Sequence, residues 1–277
     1  KSHIERELLS RLDGVATAFD GGAGCGRFSI WLARRGLRVT HFDISQPMID
    51  RAHRDAERAG VLDKMEFVRG SLEDLSAFAD GQFDMALSVD APLSYTYPDH
   101  GRALGELVRI AKKRLVVGVY SRIGWTPYLF NPAQKAQYIL DAESADPLAR
   151  WTLDHAVHQV AGFRPDMAAV RAAFAKGLME EPSATAAAYD RGETPWPVSY
   201  GFLPGELQDM LSRLGATDIR LSGPGALSRS IPREVLATIM GDGALRADFL
   251  DFSYQYDSQI WCAGMGKDNL VASARLD

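Results

Sequence analysis

Over the first 120 residues, short apolar runs alternate with segments of helical spacing, and this alternation leaves few folds open. Apolar strands are expected at 15–19, 37–42, 65–68, 83–89 and 115–120. A helix from Phe28 to Gly36, one begun by Ser45 and Pro47 and ended by Gly60, and one over 102–113 fall between them. Such alternation implies an α/β fold with a mostly parallel sheet and helices on both faces. The pattern breaks near Gly124, and helical signals dominate to Val198, with an irregular loop at 193–197. It then resumes with a helix at 204–214, a strand at 218–221 and a last strand at 270–274. The expected organisation is a cofactor-binding part at 1–123, a helical lid insertion at 124–197 and a completion of the sheet at 198–277.

The sequence Asp20-Gly21-Gly22-Ala23-Gly24-Cys25-Gly26 sits between the first strand and its helix. Glycines at such a turn let the backbone approach a ligand with no Cβ in the way. Asp43 ends the next strand, where a carboxylate can accept hydrogen bonds from ribose hydroxyls. Both features suit a dinucleotide as well as S-adenosylmethionine. Two details separate them. The glycines run G-x-G-x-G, and Arg27 occupies the third glycine position of the dinucleotide fingerprint. Asp20, just before the loop, would repel a diphosphate but not a cationic ligand with an amino-acid end.

These residues continue into a longer match. The blocks Phe19 to Arg27, Phe42 to Ser45, Phe67 to Leu75 and Phe83 to Val89 follow one another with characteristic spacing. With them the chain resembles the class I S-adenosylmethionine-dependent methyltransferases over about residues 14–123 and 198–275. The resemblance implies a Rossmann-like sheet of seven strands, the last antiparallel. It also implies that Asp20, Gly21, Gly22, Gly24 and Gly26 hold the methionine part and Asp43 the ribose. Ser71, Leu72 and Glu73 would meet the adenine, with Ile44 and Val89 also among the cofactor contacts. The family often has aspartate where this chain has Ser71, so the adenine amino contact falls to the Ser71 hydroxyl, to Glu73 or to Asp74.

Composition excludes several alternatives. A formal net charge of -5 argues against a general nucleic-acid-binding face. Two distant cysteines, Cys25 and Cys262, offer no metal-ligand spacing and no disulfide framework, which fits a reducing cytoplasm. No apolar run approaches the ~20 residues needed to span a bilayer, and the polar start Lys1 to Glu5 is not a secretory signal. The chain begins at lysine rather than methionine, so residues upstream are expected. The expected partner is a small-molecule acceptor, with no nucleic acid, no membrane and a homodimer as the assembly to test.

Methyl transfer is an in-line displacement that needs positioning, exclusion of water and, for some acceptors, a base. His155 and His158 are three apart and share a helix face with Trp151, with Asp154 at hand to orient a ring. They are candidate bases, though an exposed helix face would carry the same residues. A metal site built on them lacks a third ligand. Asp90-Ala91-Pro92-Leu93-Ser94-Tyr95 faintly echoes the D-P-P-Y motif of amino-group methyltransferases, and an ordinary proline loop reads the same way. Tyr95 is a third catalytic candidate, and Tyr97 lines the same loop. Arg122 follows the fifth strand, placed to bind a carboxylate bidentately or to form a surface ion pair. Trp125, Tyr128, Trp196 and Tyr200 could stack on a planar acceptor or fill a core. Lys112-Lys113-Arg114 is expected to close a helix, where cations complement its dipole.

The expected function is methylation of a small, planar or aromatic metabolite, in the manner of enzymes of specialised metabolism. The rivals are a methyltransferase for RNA or another macromolecule, a non-catalytic S-adenosylmethionine-binding regulator and an NAD-dependent reductase.

Overall fold

The structure is a computed structural model, and it describes residues 2–130, 165–193, 195–266 and 269–276. The chain divides into two units. The first is made of Lys1–Val119, Gly205–Arg220 and Val271–Asp277, the second of Tyr120–Pro204 and Leu221–Leu270. The expected insertion at 124–197 falls within the second unit, and 198–277 is shared between the two.

A sheet whose strands lie mostly in the first unit follows the order β3-β2-β1-β4-β5-β8-β7. Its strands are β1 (Thr17–Gly21), β2 (Arg38–Asp43), β3 (Met65–Arg69), β4 (Phe83–Ser88), β5 (Ala111–Ser121), β7 (Ala216–Ser222) and β8 (Leu270–Leu276). The pairs β1 with β2, β1 with β4, β2 with β3 and β4 with β5 are parallel. Helices α1 (Ser2–Leu9), α2 (Arg27–Ala33), α3 (Gln46–Arg58), α4 (His100–Ile110) and a helix at Pro204–Arg213 flank it. The chain reverses its strand order between β1 and β4. That point is where open α/β sheets bind ligands, outside the carboxyl ends of the strands.

The pleat sorts β1 and β2 by parity, because successive side chains point to opposite faces. On one face Ala18 and Val39 join Phe28, Leu32, Ile4 and Leu8 in a buried cluster under α1 and α2. On the other, Phe19 meets Phe42, Phe78 and Phe83 with ring centroids 5.2, 5.2 and 5.4 Å away. Asp20 is paired in register with His41, so both lie on the face that carries α2.

One expectation is overturned here. Lys112-Lys113-Arg114 is not a helix end but lies inside β5. Ala111 already pairs with Phe83, and this pairing stops α4 at Ile110. Lys113 then donates to the Gly14 carbonyl at 2.7 Å and pairs with Asp84 at 2.8 Å.

The second unit contains β6 (Gly201–Phe202), which pairs parallel with Tyr120 and Ser121. It also holds helices at Thr126–Phe130, Met167–Lys176, Pro182–Asp190, Arg233–Gly241 and Gly243–Asp257. The last two stand between β7 and β8, where the sequence pattern had offered no element. Among the described residues no helix is long and apolar enough to cross a membrane.

Candidate functional site

The glycine loop joins β1 to α2 and is held by β2. Gly22 and Ala23 donate to the Phe42 carbonyl at 2.8 and 3.1 Å, and Gly24 donates to Asp43 Oδ2 at 2.7 Å. Asp43 Oδ1 accepts from the Ser45 N–H at 2.8 Å. Gly22, Gly24 and Gly26 all have positive φ, at 69°, 55° and 78°. The three differ in what surrounds them. A Cβ at Gly22 would collide with the Pro92 ring, and one at Gly26 would sit 2.9 Å from Ala52 Cβ. At Gly24 nothing lies within 4 Å. Gly21, with an ordinary φ, is shielded by Leu72 and Phe19.

These residues fit the adenosylmethionine group that the sequence implies. The loop is pinned at Gly22 and Gly26 and open at Gly24, where a ligand can approach bare backbone. A carboxylate offers about four lone-pair sites, and two on Asp43 are used by Gly24 and Ser45. The others remain to accept from a vicinal diol. Ile44, 66% exposed directly after Asp43, offers an uncovered apolar face, whereas Val89 and Leu72 are buried. Ser71 and Glu73 are half-buried and bonded to one another, with the Glu73 N–H donating to Ser71 Oγ at 3.3 Å.

Asp20 is 1% exposed and accepts from the Ser29 hydroxyl at 2.5 Å. Burial pushes its carboxyl up to about 7; the Ser29 hydrogen bond opposes this, and the Asp90 and Asp43 carboxylates add to it. Ser29 Oγ is also 3.1 Å from His41 Nδ1. Burial pushes His41 down to about 4, with Asp43 opposing. Ser29 and His41 are functional candidates that reading the sequence for motifs missed. Their signal was a polar residue within an apolar helix face, Phe28-Ser29-Ile30, and another within an apolar strand, Val39 to Phe42.

The loop after β4 is strained. Asp90 and Ala91, neither a glycine, have φ of 66° and 68°. Such positions cost energy and cluster at functional sites. The Ala91 N–H donates to the Gly118 carbonyl at 3.0 Å, which sets Pro92 against Gly22. Asp90 is exposed at this strand end, and a left-handed conformation at a residue other than glycine leaves no mark in the sequence. Tyr95 is 37% exposed in the turn Pro92–Tyr95, and Tyr97 stacks on His100 with centroids 6.0 Å apart.

In the second unit, Arg122 is 7% exposed. It donates to the Gly201 carbonyl and the Tyr200 hydroxyl, each at 2.8 Å, and a Cβ at Gly177 would meet its guanidinium at 2.5 Å. The sequence offered a surface ion pair or an acceptor contact; the described partners are backbone and tyrosine. Trp125 is 1% exposed, with Gly201 against its ring, and its Nε1 has no partner among the described residues. Trp196 is half-buried. Trp151, Asp154, His155 and His158 lie outside the described residues, as does the Tyr128 side chain. Among the described residues no three His, Cys, Asp or Glu side chains gather as a metal site needs.

Residues 18–114 match the methyltransferase domain family. The magnesium-protoporphyrin O-methyltransferase of Rhodobacter capsulatus is 32% identical over 152 residues, covering 52% of this chain and 66% of that protein. The tRNA 5-carboxymethoxyuridine methyltransferase of Escherichia coli is 38% identical over 84 residues, 30% of this chain and 32% of that one. The chain thus spans less than two thirds of the length of either relative. An S-adenosylmethionine-dependent methyltransferase from Mesorhizobium loti shares the fold at 18% identity, with a TM-score of 0.54 over 98% of this chain and 94% of that one.

Proposed function

We propose that the chain is a class I S-adenosylmethionine-dependent methyltransferase and that it methylates a small, planar or aromatic metabolite. The observation that carries the cofactor side of this reading is Gly24, open to 4 Å beside an Asp43 with lone pairs to spare. When bound, S-adenosylmethionine supplies a methyl group on a sulfonium, which an acceptor takes by in-line displacement while sulfur leaves as a neutral thioether. Asp20 would face the ammonium end, Asp43 the ribose, and Ser71, Leu72 and Glu73 the adenine. The acceptor's proton would pass to a base, for which His155, His158 and Tyr95 are the candidates.

Residues 124–197 are proposed to supply the acceptor side, with Trp125, Trp151, Trp196 and Tyr200 offered for stacking and Arg122 for an anionic group. Packing already occupies Trp125, Arg122 and Tyr200, the last bonded to Arg122 and set edge-on against Phe202, so Trp151 and Trp196 carry more of this proposal. The magnesium-protoporphyrin relative acts on a planar molecule, which supports the choice of acceptor. The tRNA relative supports a second reading, a nucleic-acid acceptor, against which the net charge of -5 weighs. We also infer a cytoplasmic setting, since both cysteines are free, and a place in specialised metabolism.

Incubation with methyl-labelled S-adenosylmethionine, a metabolite extract and tRNA tests this. Label in a small-molecule product is expected. Label on tRNA alone would favour the second reading, and binding without transfer would leave a regulatory role. His155→Ala should lower turnover about 10²-fold or more at unchanged cofactor affinity, the scale of lost general-base catalysis. Full activity in that variant would remove His155 as the base.

A further inference from the structure

A chain of three buried side chains runs under the glycine loop, and its hydrogen positions follow from counting. Ser29 has one hydroxyl proton. With that proton on the 2.5 Å bond to Asp20 Oδ2, the 3.1 Å contact to His41 Nδ1 must have the imidazole as donor. His41 is 0% exposed, and its Nε2 has no partner among the described residues. The reverse arrangement would have a protonated Asp20 donate to Ser29 and Ser29 donate to His41. It would move the imidazole proton to Nε2 and bury it unpaired, and orphaned buried N–H groups are rarer than under-used acceptors. The space around Nε2 therefore selects the direction of the whole chain.

We propose that His41 is a positioning residue whose Nδ1–H fixes the Ser29 hydroxyl as a donor to Asp20, keeping that carboxylate ionised for a cationic group in the glycine loop. The need for such a device is local. The Asp90 and Asp43 carboxylates, from the end of β4 and from β2, both disfavour the ionised form of Asp20. Ser29 from α2 is the neighbour that favours it. His41 would act through Ser29 and touch no ligand. The ligand part of this proposal rests on the methyltransferase reading; the direction of the relay does not.

The test uses the full chain with carbon-13-labelled aspartate, Asp20 being assigned from Asp20→Asn. In ligand-free protein the Asp20 carboxyl should titrate near pH 7. Ser29→Ala and His41→Leu should raise that midpoint by about one unit, as loss of a hydrogen bond to a charged group predicts. His41→Asn, whose amide can take the Nδ1 donor position, should restore it. Affinity for S-adenosylhomocysteine at pH 7 should fall about fivefold in the first two variants, as the ionised fraction of Asp20 drops, and return in the third. An unmoved midpoint in Ser29→Ala would overturn the relay, as would a His41→Asn variant that behaves like His41→Leu. If His41→Leu does not fold, nitrogen-15 shifts of His41 in the unmodified protein decide the matter. A proton on Nδ1 at pH 8 supports the relay, and one on Nε2 overturns it. Absence of S-adenosylhomocysteine binding in the unmodified protein would instead strike the proposed function, while the ligand-free titration still judged the relay.

Discussion

Asp20→Asn is expected to make the ligand-free protein more stable at pH 8 while weakening S-adenosylmethionine binding. Burial raises the folded-state value from 3.8 to about 7, so the folded chain holds this proton more tightly than the unfolded one. The group's contribution to stability is complete below about pH 4 and is lost as pH climbs through 7. Three pH units at 1.36 kcal/mol each make that loss about 4 kcal/mol. An asparagine still accepts from Ser29 but has no charge to bury. Urea denaturation of the two proteins should therefore give nearly equal stabilities at pH 4 and a gain of up to about 4 kcal/mol for the variant at pH 8. The same variant should bind S-adenosylmethionine about a hundredfold more weakly, since a neutral amide can accept from an ammonium group but offers it no opposite charge. Stability gained at a ligand-facing charge is the usual trade between fold and function. An advantage over the unmodified protein no larger at pH 8 than at pH 4 would show that Asp20 is not ionised at a cost in the free protein.

Gly22→Ala and Gly24→Ala should separate fold from ligand. Both glycines have positive φ, where an alanine costs roughly 1–2 kcal/mol of backbone strain. Gly22 has in addition Pro92 against it, on a segment set by the Ala91 bond to Gly118 and unable to yield freely. Its alanine variant should lose about 3 kcal/mol or more, the strain plus an overpacking cost. Gly24→Ala meets nothing within 4 Å in the protein, so strain should be its whole cost to the fold. Its methyl group, however, enters the space assigned to the ligand. It should retain a thermal transition close to that of the unmodified protein and lose most of its affinity for S-adenosylmethionine. Equal affinity in Gly24→Ala would mean that the ligand does not approach this face.

The parallel sheet was legible because each strand is an apolar run ended by punctuation, Asp20 and Gly21 for β1 and Asp43 for β2. The loop was legible for the same reason: glycine at positive φ and a carboxylate at a strand end are residue choices that geometry forces. Where pairing competes with local pattern, the reading failed, as at Lys112 to Arg114, which look helical and are strand because Ala111 pairs with Phe83. The helices at Arg233–Gly241 and Gly243–Asp257 were missed because neither carries a clean apolar stripe; exposed Val235, Leu245 and Phe252 blur both. Ser29 and His41 were visible as polar residues in apolar surroundings. Only three-dimensional register shows that they meet Asp20. The strain at Asp90 and Ala91 was invisible, since no residue type announces it.

In the proposed site the glycine loop holds S-adenosylmethionine with Asp43 on its ribose. Isothermal titration of S-adenosylmethionine and of NAD into the unmodified chain and into Asp43→Ala tests it most directly. One-to-one binding of S-adenosylmethionine is expected, none of NAD, and an affinity lower by about ten- to a hundredfold in Asp43→Ala, the worth of a charge-assisted hydrogen bond. Binding of NAD in place of S-adenosylmethionine, or an unchanged affinity in Asp43→Ala, would contradict it.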